Sequence, residues 1–270
     1  MSGNADVTVV IPCFAAGTLV AEAVDSALGQ EGGSPRVVVV DDGSRDPDTL
    51  RALAELPAAA AVVRRPNRGL SAARNTGVEH SDTSLLLMLD ADDLLHPDAL
   101  GRLRAVLDSE PGLGFAYGLT EFIGDWAGVL ALPDWDPYRL LYRSLVSATS
   151  LLRRELFEEV GGFDPELPGY EDWDFFLGAV ERGWAGRRIP EVTFYYRRRG
   201  RTLVDATRAD YRHLYRRIRR KHAALYRRAP ELAKQSALGP AGRLLYRTWF
   251  AWRPLPARLE QALYGRLLFR

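Results

Sequence analysis

Short apolar runs alternate with segments of helical periodicity over the first hundred residues, and this alternation narrows the possible folds most. The apolar runs predict strands at residues 7–11, 36–40, 61–63 and 85–89. Helices are predicted at residues 18–30, from about residue 70, and from residue 96 to about 107. Strands that alternate with helices form βαβ units, in which the strands lie parallel. The sequence therefore predicts an α/β fold with a mostly parallel central sheet flanked by helices.

Acidic residues directly follow two of these predicted strands. Asp41 and Asp42 come after one strand, and Asp90 and Asp92 come after another. In an open parallel sheet, ligands bind beyond the carboxyl ends of the strands, and paired carboxylates there suit a hard divalent cation. The same residue types also shape turns and cap helices, so either cluster alone would be ambiguous. Two clusters at successive strand ends favour a ligand site.

The charges divide the chain into an acidic body and a basic tail. Residues 1–196 carry 16 Lys or Arg and 31 Asp or Glu, whereas residues 197–270 carry 20 and 4. This asymmetry predicts chemistry in the body and attachment to an anionic partner through the tail. The single cysteine, Cys13, excludes an internal disulfide and is predicted to be a small buried residue. Without a membrane-length apolar run or a recognisable signal peptide, the sequence predicts a cytoplasmic protein.

Several sequence blocks together resemble the motifs of family 2 glycosyltransferases. They are residues 9–14 (VVIPCF), 40–44 (VDDGS), 67–75 (NRGLSAARN), 90–93 (DADD), 161–164 (GGFD) and 169–174 (GYEDWD). Their order and spacing match that family over about residues 7–200. The resemblance implies a GT-A fold, which is Rossmann-like. It also implies that a hexose-type sugar is transferred from a nucleotide diphosphate donor with inversion at the anomeric carbon.

The resemblance also implies which residues hold the donor. Pro12, Phe14 and Asp41 would lie beside the nucleotide, with Asp41 accepting a hydrogen bond from the base, and a UDP-linked donor is favoured over guanine or thymine nucleotides. Gly69 and Arg74 would lie near the donor. Asp90 would approach the ribose, and Asp92, with Asp90, would hold Mn²⁺ or Mg²⁺ at the diphosphate. A cation there would stabilise the charge that develops on the departing phosphate oxygens.

The acceptor hydroxyl needs a group that removes its proton during attack. The resemblance assigns this general base to Asp172, with Glu171 supporting the acceptor or orienting the site. Acids at the start of a predicted helix can also be explained by the helix dipole, which favours negative charge there. The other motifs of the family favour a catalytic role for Asp172 over that explanation. Trp173 and Trp135 are predicted to contact the acceptor sugar, although packing in the core is an open alternative for Trp135 and for the nearby Trp126. Trp173 also begins an apolar stripe with Phe176, Leu177 and Val180.

One departure from the family concerns the metal. Many members carry a His shortly after the last core strand, whereas the corresponding residues 195–202 (YYRRRGRT) contain none. Arg199 is predicted to bind the diphosphate there through its guanidinium. Metal binding would then depend on Asp92, phosphate oxygens and water.

The chain is predicted to divide into a catalytic domain at residues 1–203 and a basic amphipathic helical extension at 204–270. Within residues 208–228, arginines alternate with Tyr211, Leu214, Tyr215, Ile218 and Leu225. This pattern fits a helix on an anionic membrane surface, at the inner face, and equally a helix whose apolar stripe packs on the body. No nucleic-acid partner is predicted, because no recognition motif accompanies the charge.

Two other classes of function compete with the glycosyltransferase interpretation. A nucleotidyltransferase needs a glycine-rich basic loop after the first strand, and residues 12–17 (PCFAAG) provide none. A non-catalytic module of the same fold, binding nucleotide sugars, polyanions or membranes, is expected to have lost its acidic pairs, yet Asp90, Asp92 and Asp172 are present. The acceptor is expected to be a glycan or a lipid-linked glycan of a cell-envelope polysaccharide.

Overall fold

The computed structural model describes residues 4–130, 132–199 and 210–252. Within these residues one central sheet contains nine strands: β1 (Val7–Cys13), β2 (Arg36–Asp41), β3 (Ala60–Arg64), β4 (Leu85–Met88), β5 (Leu94–Leu95), β6 (Leu113–Gly124), β7 (Gly128–Leu130), β8 (Leu151–Arg153) and β9 (Ala185–Arg198). The helices of the body are α1 (Leu19–Leu28), α2 (Pro47–Ala54), α3 (Leu70–Glu79), α4 (Ala99–Ser109), α5 (Pro137–Leu140), α6 (Arg154–Val160) and α7 (Glu171–Glu181). The C-terminal helices are α8 (Tyr211–Lys221), α9 (Ala223–Arg227), α10 (Ala229–Gln235) and α11 (Pro240–Leu245), followed by a π-helical turn (Tyr246–Phe250).

The first half of the sheet is the predicted parallel α/β unit. Its strands lie in the order β3-β2-β1-β4, and every pairing among them is parallel. Strand β1 is buried along its whole length, which explains why it consists of apolar residues on both faces. Because these strands are parallel, the residues that follow β1, β2 and β4 all emerge at one edge of the sheet.

The second half of the sheet is mixed. Strand β8 pairs antiparallel with β4 and with β6, and the long strands β6 and β9 run parallel to each other. Strand β5 pairs antiparallel with the end of β9. Residues 195–198, expected to follow the last core strand, therefore belong to β9 and lie beside the loop that contains Asp92.

Two hydrophobic layers cover the sheet. Val9 and Ile11 of β1 face the layer built with α1 and α4, whereas Val10 faces the layer built with α3, α6 and α7. The alternation follows from the two-residue period of a strand.

The C-terminal helices belong to the second of these layers. Tyr211, Leu214, Tyr215 and Ile218 of α8 are buried, and both tyrosine rings stack on Trp173 of α7. The apolar stripe of this segment therefore packs on the body, which was one of the two open alternatives. The predicted domain boundary between residues 203 and 204 lies outside the described residues. No helix in the described ranges is long and apolar enough to cross a bilayer.

Candidate active site

An open cleft of about 290 Å³ lies at the carboxyl ends of β1, β2 and β4. The loops after β1, β2 and β4 line it, together with the loop before α3 and the first turn of that helix. Its lining residues include Pro12, Cys13, Phe14, Asp42, Asn67, Gly69, Asp90 and Asp92. The Phe14 side chain is 58% exposed, and an exposed aromatic ring at a cleft can stack on a flat ligand such as a nucleobase. Pro12, Phe14, Gly69, Asp90 and Asp92 thus lie together, as the sequence predicts.

The two acids after β2 stabilise the loops of this cleft. The buried Asp41 accepts a hydrogen bond from the Ser44 N–H at 2.8 Å and pairs with Arg64 at 3.2 Å. Asp42 accepts from the backbone N–H groups of Arg68 and Gly69, the latter at 2.8 Å. Asp42, not Asp41, lines the cleft. Both carboxylates therefore shape the site, and a contact of Asp41 with a base stays a prediction.

The loop after β4 concentrates negative charge at the cleft. The pKa of Asp92 is raised, first by desolvation and then by repulsion from Asp90, whereas Arg197 and Arg199 act in the opposite direction. The neighbouring Asp93 is buried and accepts a hydrogen bond from the Arg197 N–H at 2.8 Å. Arg199 is exposed and close enough to influence Asp92 electrostatically.

These residues fit a cation only as part of its coordination shell. Asp90 and Asp92 offer carboxylate oxygens whose mutual repulsion a divalent cation would relieve. One oxygen of Asp90 already accepts from Arg74 at 2.7 Å. Among the described residues, no group of three or more His, Cys, Asp or Glu side chains could hold a metal. The remaining ligands would have to come from a bound diphosphate or from water.

Arg74 connects the two sides of the site. Its Nη2 donates to Oδ1 of Asp90 at 2.7 Å, and its Nη1 donates to Oε1 of Glu171 at 2.7 Å. The Arg74 side chain is buried, and its guanidinium lies 5.3 Å from the ring centroid of Phe163. Burial alone lowers the pKa of Arg74, but Asp90 and Glu171 outweigh it, so the net shift is upward. Arg74 therefore fixes Glu171 relative to the cleft rather than lining the cleft itself.

Asp172 is the most perturbed acid at the start of α7. Burial, and then repulsion from Glu171, raise its pKa to about 7, while the charge of Arg74 and a hydrogen bond from the Trp173 N–H oppose the rise. A carboxylate with a pKa near neutrality can accept a proton from a hydroxyl and still be ionised at physiological pH. The electrostatics of Asp172 thus suit the role predicted for it.

Local backbone geometry also marks the site. Within the described ranges, the non-glycine residues with positive φ are Ala15, after β1, and Tyr170, directly before Glu171. Such conformations cost about 1–3 kcal/mol each and persist where the surroundings enforce them. The loop that leads to Tyr170 is held at Phe163 by Asn75, whose side-chain amide donates to the Phe163 carbonyl and accepts from the Phe163 N–H.

The two tryptophans predicted to contact the acceptor, Trp173 and Trp135, pack against other aromatic rings. Trp173 is 1% exposed, its indole N–H donates to the Leu140 carbonyl, and its ring stacks on Tyr211 and Tyr215. The prediction that Trp173 contacts an acceptor sugar is therefore wrong, because no face of the ring is accessible. Trp135 is partly buried and packs edge-on against Phe115 at 5.0 Å, so a contact of Trp135 with the acceptor stays a prediction.

Sequence reasoning missed several residues of the site. Asp42, one of the strand-end acids noted in the sequence, lines the cleft. Asn67 also lines the cleft without having been given a role, and Asp93 and Arg197 join the end of β9 to the acidic loop. Asn67 lies inside a motif quoted above, so position within a motif was the available signal. The link through Arg197 joins residues 104 positions apart and leaves no local pattern.

Comparison with known proteins agrees with this geometry. The sequence profile described as "Glycosyl transferase family 2" matches residues 8–129. Chondroitin synthase of Escherichia coli is 38% identical over 184 residues, which cover 66% of this chain and 27% of that protein. The curated relatives are longer than their matched parts: this chain spans 20% of one and 62% of two others.

Solved structures share the fold. S. aureus TarS 1-349 in complex with UDP-GlcNAc superposes with a TM-score of 0.67 at 18% identity, covering 90% of this chain and 71% of that one. The mannosyltransferase PcManGT from Pyrobaculum calidifontis, in complex with GDP-Man and Mn²⁺, gives a TM-score of 0.58 at 20% identity and covers 99% and 89%. The sheet order, the strand-end cleft and the profile match point to one conclusion. The chain has the GT-A-type fold, and its residues 8–129 match glycosyl transferase family 2.

Proposed function

We propose that the protein is an inverting glycosyltransferase that moves a hexose-type sugar from a nucleotide diphosphate donor to a hydroxyl of a glycan or lipid-linked glycan. The observation that carries this proposal is the Arg74 bridge between Asp90 and Glu171. It joins the donor cleft and the perturbed carboxylate of Asp172 in one site. A binding module would have no need of a partly buried carboxylate whose pKa is raised to about 7.

Each side chain has a defined part in this reaction. Asp172 takes the proton of the acceptor hydroxyl as the oxygen attacks the anomeric carbon, and Arg74 holds Glu171 beside it. Phe14 and Pro12 contact the nucleotide, Gly69 lies near it, and Asp41 is proposed to accept from the base. Because inversion is a single displacement, the chain needs no nucleophilic Ser or Cys.

The diphosphate end of the cleft is proposed to bind Mn²⁺ or Mg²⁺ through Asp92 and Asp90. When bound, the cation would supply positive charge that stabilises the leaving diphosphate. Arg199 lies close enough to Asp92 to assist with the same charge. Neighbours of the same fold were solved with UDP-GlcNAc and with GDP-Man and Mn²⁺, and we propose a UDP-linked donor.

Two remaining proposals concern the setting of the enzyme. The catalytic domain is proposed to span residues 1–203 and the helical extension residues 204–270. The enzyme is proposed to act in the cytoplasm, at the inner face of the membrane. The acidic body and basic tail support this orientation, because anionic lipids attract clusters of Arg and Lys.

The first experiment measures thermal unfolding with UDP, GDP, dTDP and CDP, each with and without Mn²⁺. A ligand at about 100 times its Kd stabilises the native state by about 2.7 kcal/mol. We expect UDP to give the largest rise in Tm, and Mn²⁺ to increase that rise in the wild type but not in D92N. No rise with any nucleotide would contradict the donor site.

A second experiment separates catalysis from binding. D172N should keep the Tm shift with UDP and lose transfer by about 10²-fold or more, the usual contribution of a general base. D108N changes an exposed acid on α4 and should keep both properties. Full transfer in D172N would remove Asp172 from the mechanism, and binding without any donor turnover in the wild type would favour the non-catalytic alternative.

A further inference from the structure

Large apolar side chains lie exposed along the helical segment at residues 240–252, which contains α11 and the π-helical turn. Leu244 and Leu245 are 61% and 48% exposed, and Trp252 is 40% exposed. On the opposite side of the same segment, Tyr246 and Ala251 are buried in the core of the body. The segment at residues 240–252 is therefore fixed to the body by one side and presents an apolar outer side.

Exposed arginines border this apolar side. Arg212 and Arg216 are exposed on α8, and Arg247 is exposed within the segment itself. Nε of Arg212 donates to the Trp252 carbonyl at 3.2 Å, and the rings of Tyr215 and Trp252 meet with their centroids 6.1 Å apart. The basic surface of α8 is thus continuous with the apolar surface. Residues 210–252 contain eleven Lys or Arg and two Asp or Glu.

We propose that Leu244, Leu245, Arg247 and Trp252, with Arg212 and Arg216, form a docking face for an anionic lipid bilayer. The arginines alone would suit any polyanion. The exposed leucines and the tryptophan favour a bilayer over a soluble polyanion, because only a bilayer offers an apolar phase below its charged headgroups. Tryptophan is also the side chain favoured at a membrane interface. The amphipathic stripe of α8 does not take part, because the structure buries it against α7.

The docking face is joined to the candidate active site by direct contacts. The Tyr211 hydroxyl donates to the Phe250 carbonyl at 2.9 Å, and the Tyr211 ring lies 5.6 Å from the ring of Tyr170, which precedes Glu171. On the proposed function, docking would hold the acceptor side of the site close to the bilayer in which a lipid-linked acceptor resides. This last step rests on the proposed function, whereas bilayer binding does not.

The test is sedimentation of the full chain with vesicles of phosphatidylcholine, with and without phosphatidylglycerol. We expect binding to the anionic vesicles that weakens as salt is added, because each arginine near the surface interacts through a screened charge. L244E/L245E and R216E/R212E should each weaken binding by about tenfold or more. V62E is the matched control, since Val62 on β3 is also exposed, at 44%, and it should bind as the wild type does.

Three outcomes would overturn the proposal. They are equal binding to both kinds of vesicle, unchanged binding of L244E/L245E, and complete competition by heparin with the leucine variant unaffected, which would indicate a soluble polyanion. Far-ultraviolet circular dichroism and the Tm shift with UDP verify that each variant is folded. Since that shift reports the donor site and sedimentation reports the docking face, failure of one leaves the other interpretable.

Discussion

Arg74 determines the charge balance of the candidate site. It contacts Asp90 and Glu171 directly, and its charge also acts on Asp172. These acids come from different parts of the chain and meet because β4 and α7 bring them to one side of the sheet. A guanidinium can serve two carboxylates at once, since its donors are arranged in a rigid fork.

Removal of Arg74 should destabilise the protein in a pH-dependent way. R74A leaves the buried Glu171 and the partly buried Asp90 without compensation, so we expect a loss of about 3–5 kcal/mol in the free energy of unfolding at pH 7. The loss should be smaller in acid, because protonated carboxyl groups no longer repel each other. Urea denaturation at both pH values measures this difference.

The control for this prediction is R36A, which breaks the exposed pair of Arg36 and Asp82. An exposed pair contributes at most about 1 kcal/mol. Equal losses in the two variants, or a loss in R74A that does not change with pH, would contradict the role assigned to Arg74.

The pKa of Asp172 predicts the pH profile of transfer. The base acts only when ionised, so kcat/KM should fall about tenfold per pH unit below a midpoint near 7. Glu171 is the largest charge that raises this pKa. E171Q should therefore move the midpoint to lower pH, whatever it does to the maximal rate. The same midpoint in E171Q and in the wild type would show that another group controls the profile.

Sequence motifs identified the acids of the site but not the surroundings of each side chain. Trp173 lies in the same motif as Asp172, and the motif suggested a shared function. Its helical spacing with Phe176 and Leu177 predicted burial, and burial is what the structure shows. The geometry of a helix decided this position, because α7 directs residues 172 and 173 to different sides.

At the scale of elements, two residues at the C-terminal end of α8 form ion pairs with α7 and with the loop before it. Lys221 donates to Asp164 at 2.7 Å and to Asp174 at 2.8 Å. His222 is buried, with Nε2 3.0 Å from Asp174 and Nδ1 3.0 Å from Glu181. These contacts fix α7, whose first turn carries Glu171 and Asp172, to the C-terminal segment.

His222 should make stability depend on pH. Burial alone lowers its pKa, but the hydrogen bond to Asp174 and the charges of Asp174 and Glu181 outweigh burial, so the net pKa lies above 6.5. Protonated His222 therefore stabilises the fold. This stabilisation is complete below pH 6.5 and is lost as the pH rises through the raised pKa.

The measurement is the difference in unfolding free energy between the wild type and H222Q. We expect about 1–3 kcal/mol at acid pH, the usual size for hydrogen bonds to charged groups, and a smaller value at alkaline pH. H213Q changes the exposed histidine of α8 and should behave as the wild type does. A difference that stays constant with pH would mean that His222 contributes by packing alone.

The parallel half of the sheet could be predicted from the sequence, whereas strands β8 and β9 of the other half could not. Strands β1, β2 and β4 are continuous apolar runs because both of their faces are covered. Strand β8 has only three residues, and β9 mixes arginines with tyrosines because many of its residues are partly exposed. Its long pairing with β6 fixes it as a strand, and such tertiary pairing leaves little trace in local sequence.

On the scale of the whole molecule, the acidic body and the basic tail share one hydrophobic core. Tyr211, Leu214, Tyr215, Ile218 and Leu225 are all buried in the described structure. At about 1.5–3 kcal/mol for each side chain, their burial contributes about 7–15 kcal/mol. This is as large as the net stability of a typical domain, about 5–15 kcal/mol.

A chain that ends at residue 209 should therefore not fold into the native body. We expect it to aggregate or to lose cooperative unfolding, because the ring of Trp173 and its neighbours would face water. A chain that ends at residue 252 should unfold in one transition, and we expect the same of the full chain. Soluble yield and urea denaturation followed by tryptophan fluorescence distinguish the two, and a stable, cooperative 1–209 chain would contradict the shared core.

The single thiol of the chain lies in the wall of the cleft at the strand ends. Burial, and then the charge of Asp41, raise the pKa of Cys13 to about 12, so alkylating reagents reach a reactive thiolate only when the loop after β1 opens transiently. A nucleotide in the cleft should slow this alkylation in the native protein and leave it unchanged in the denatured chain. The rate of Cys13 alkylation, measured by mass spectrometry, should therefore report whether the cleft is occupied, and no engineered label is needed.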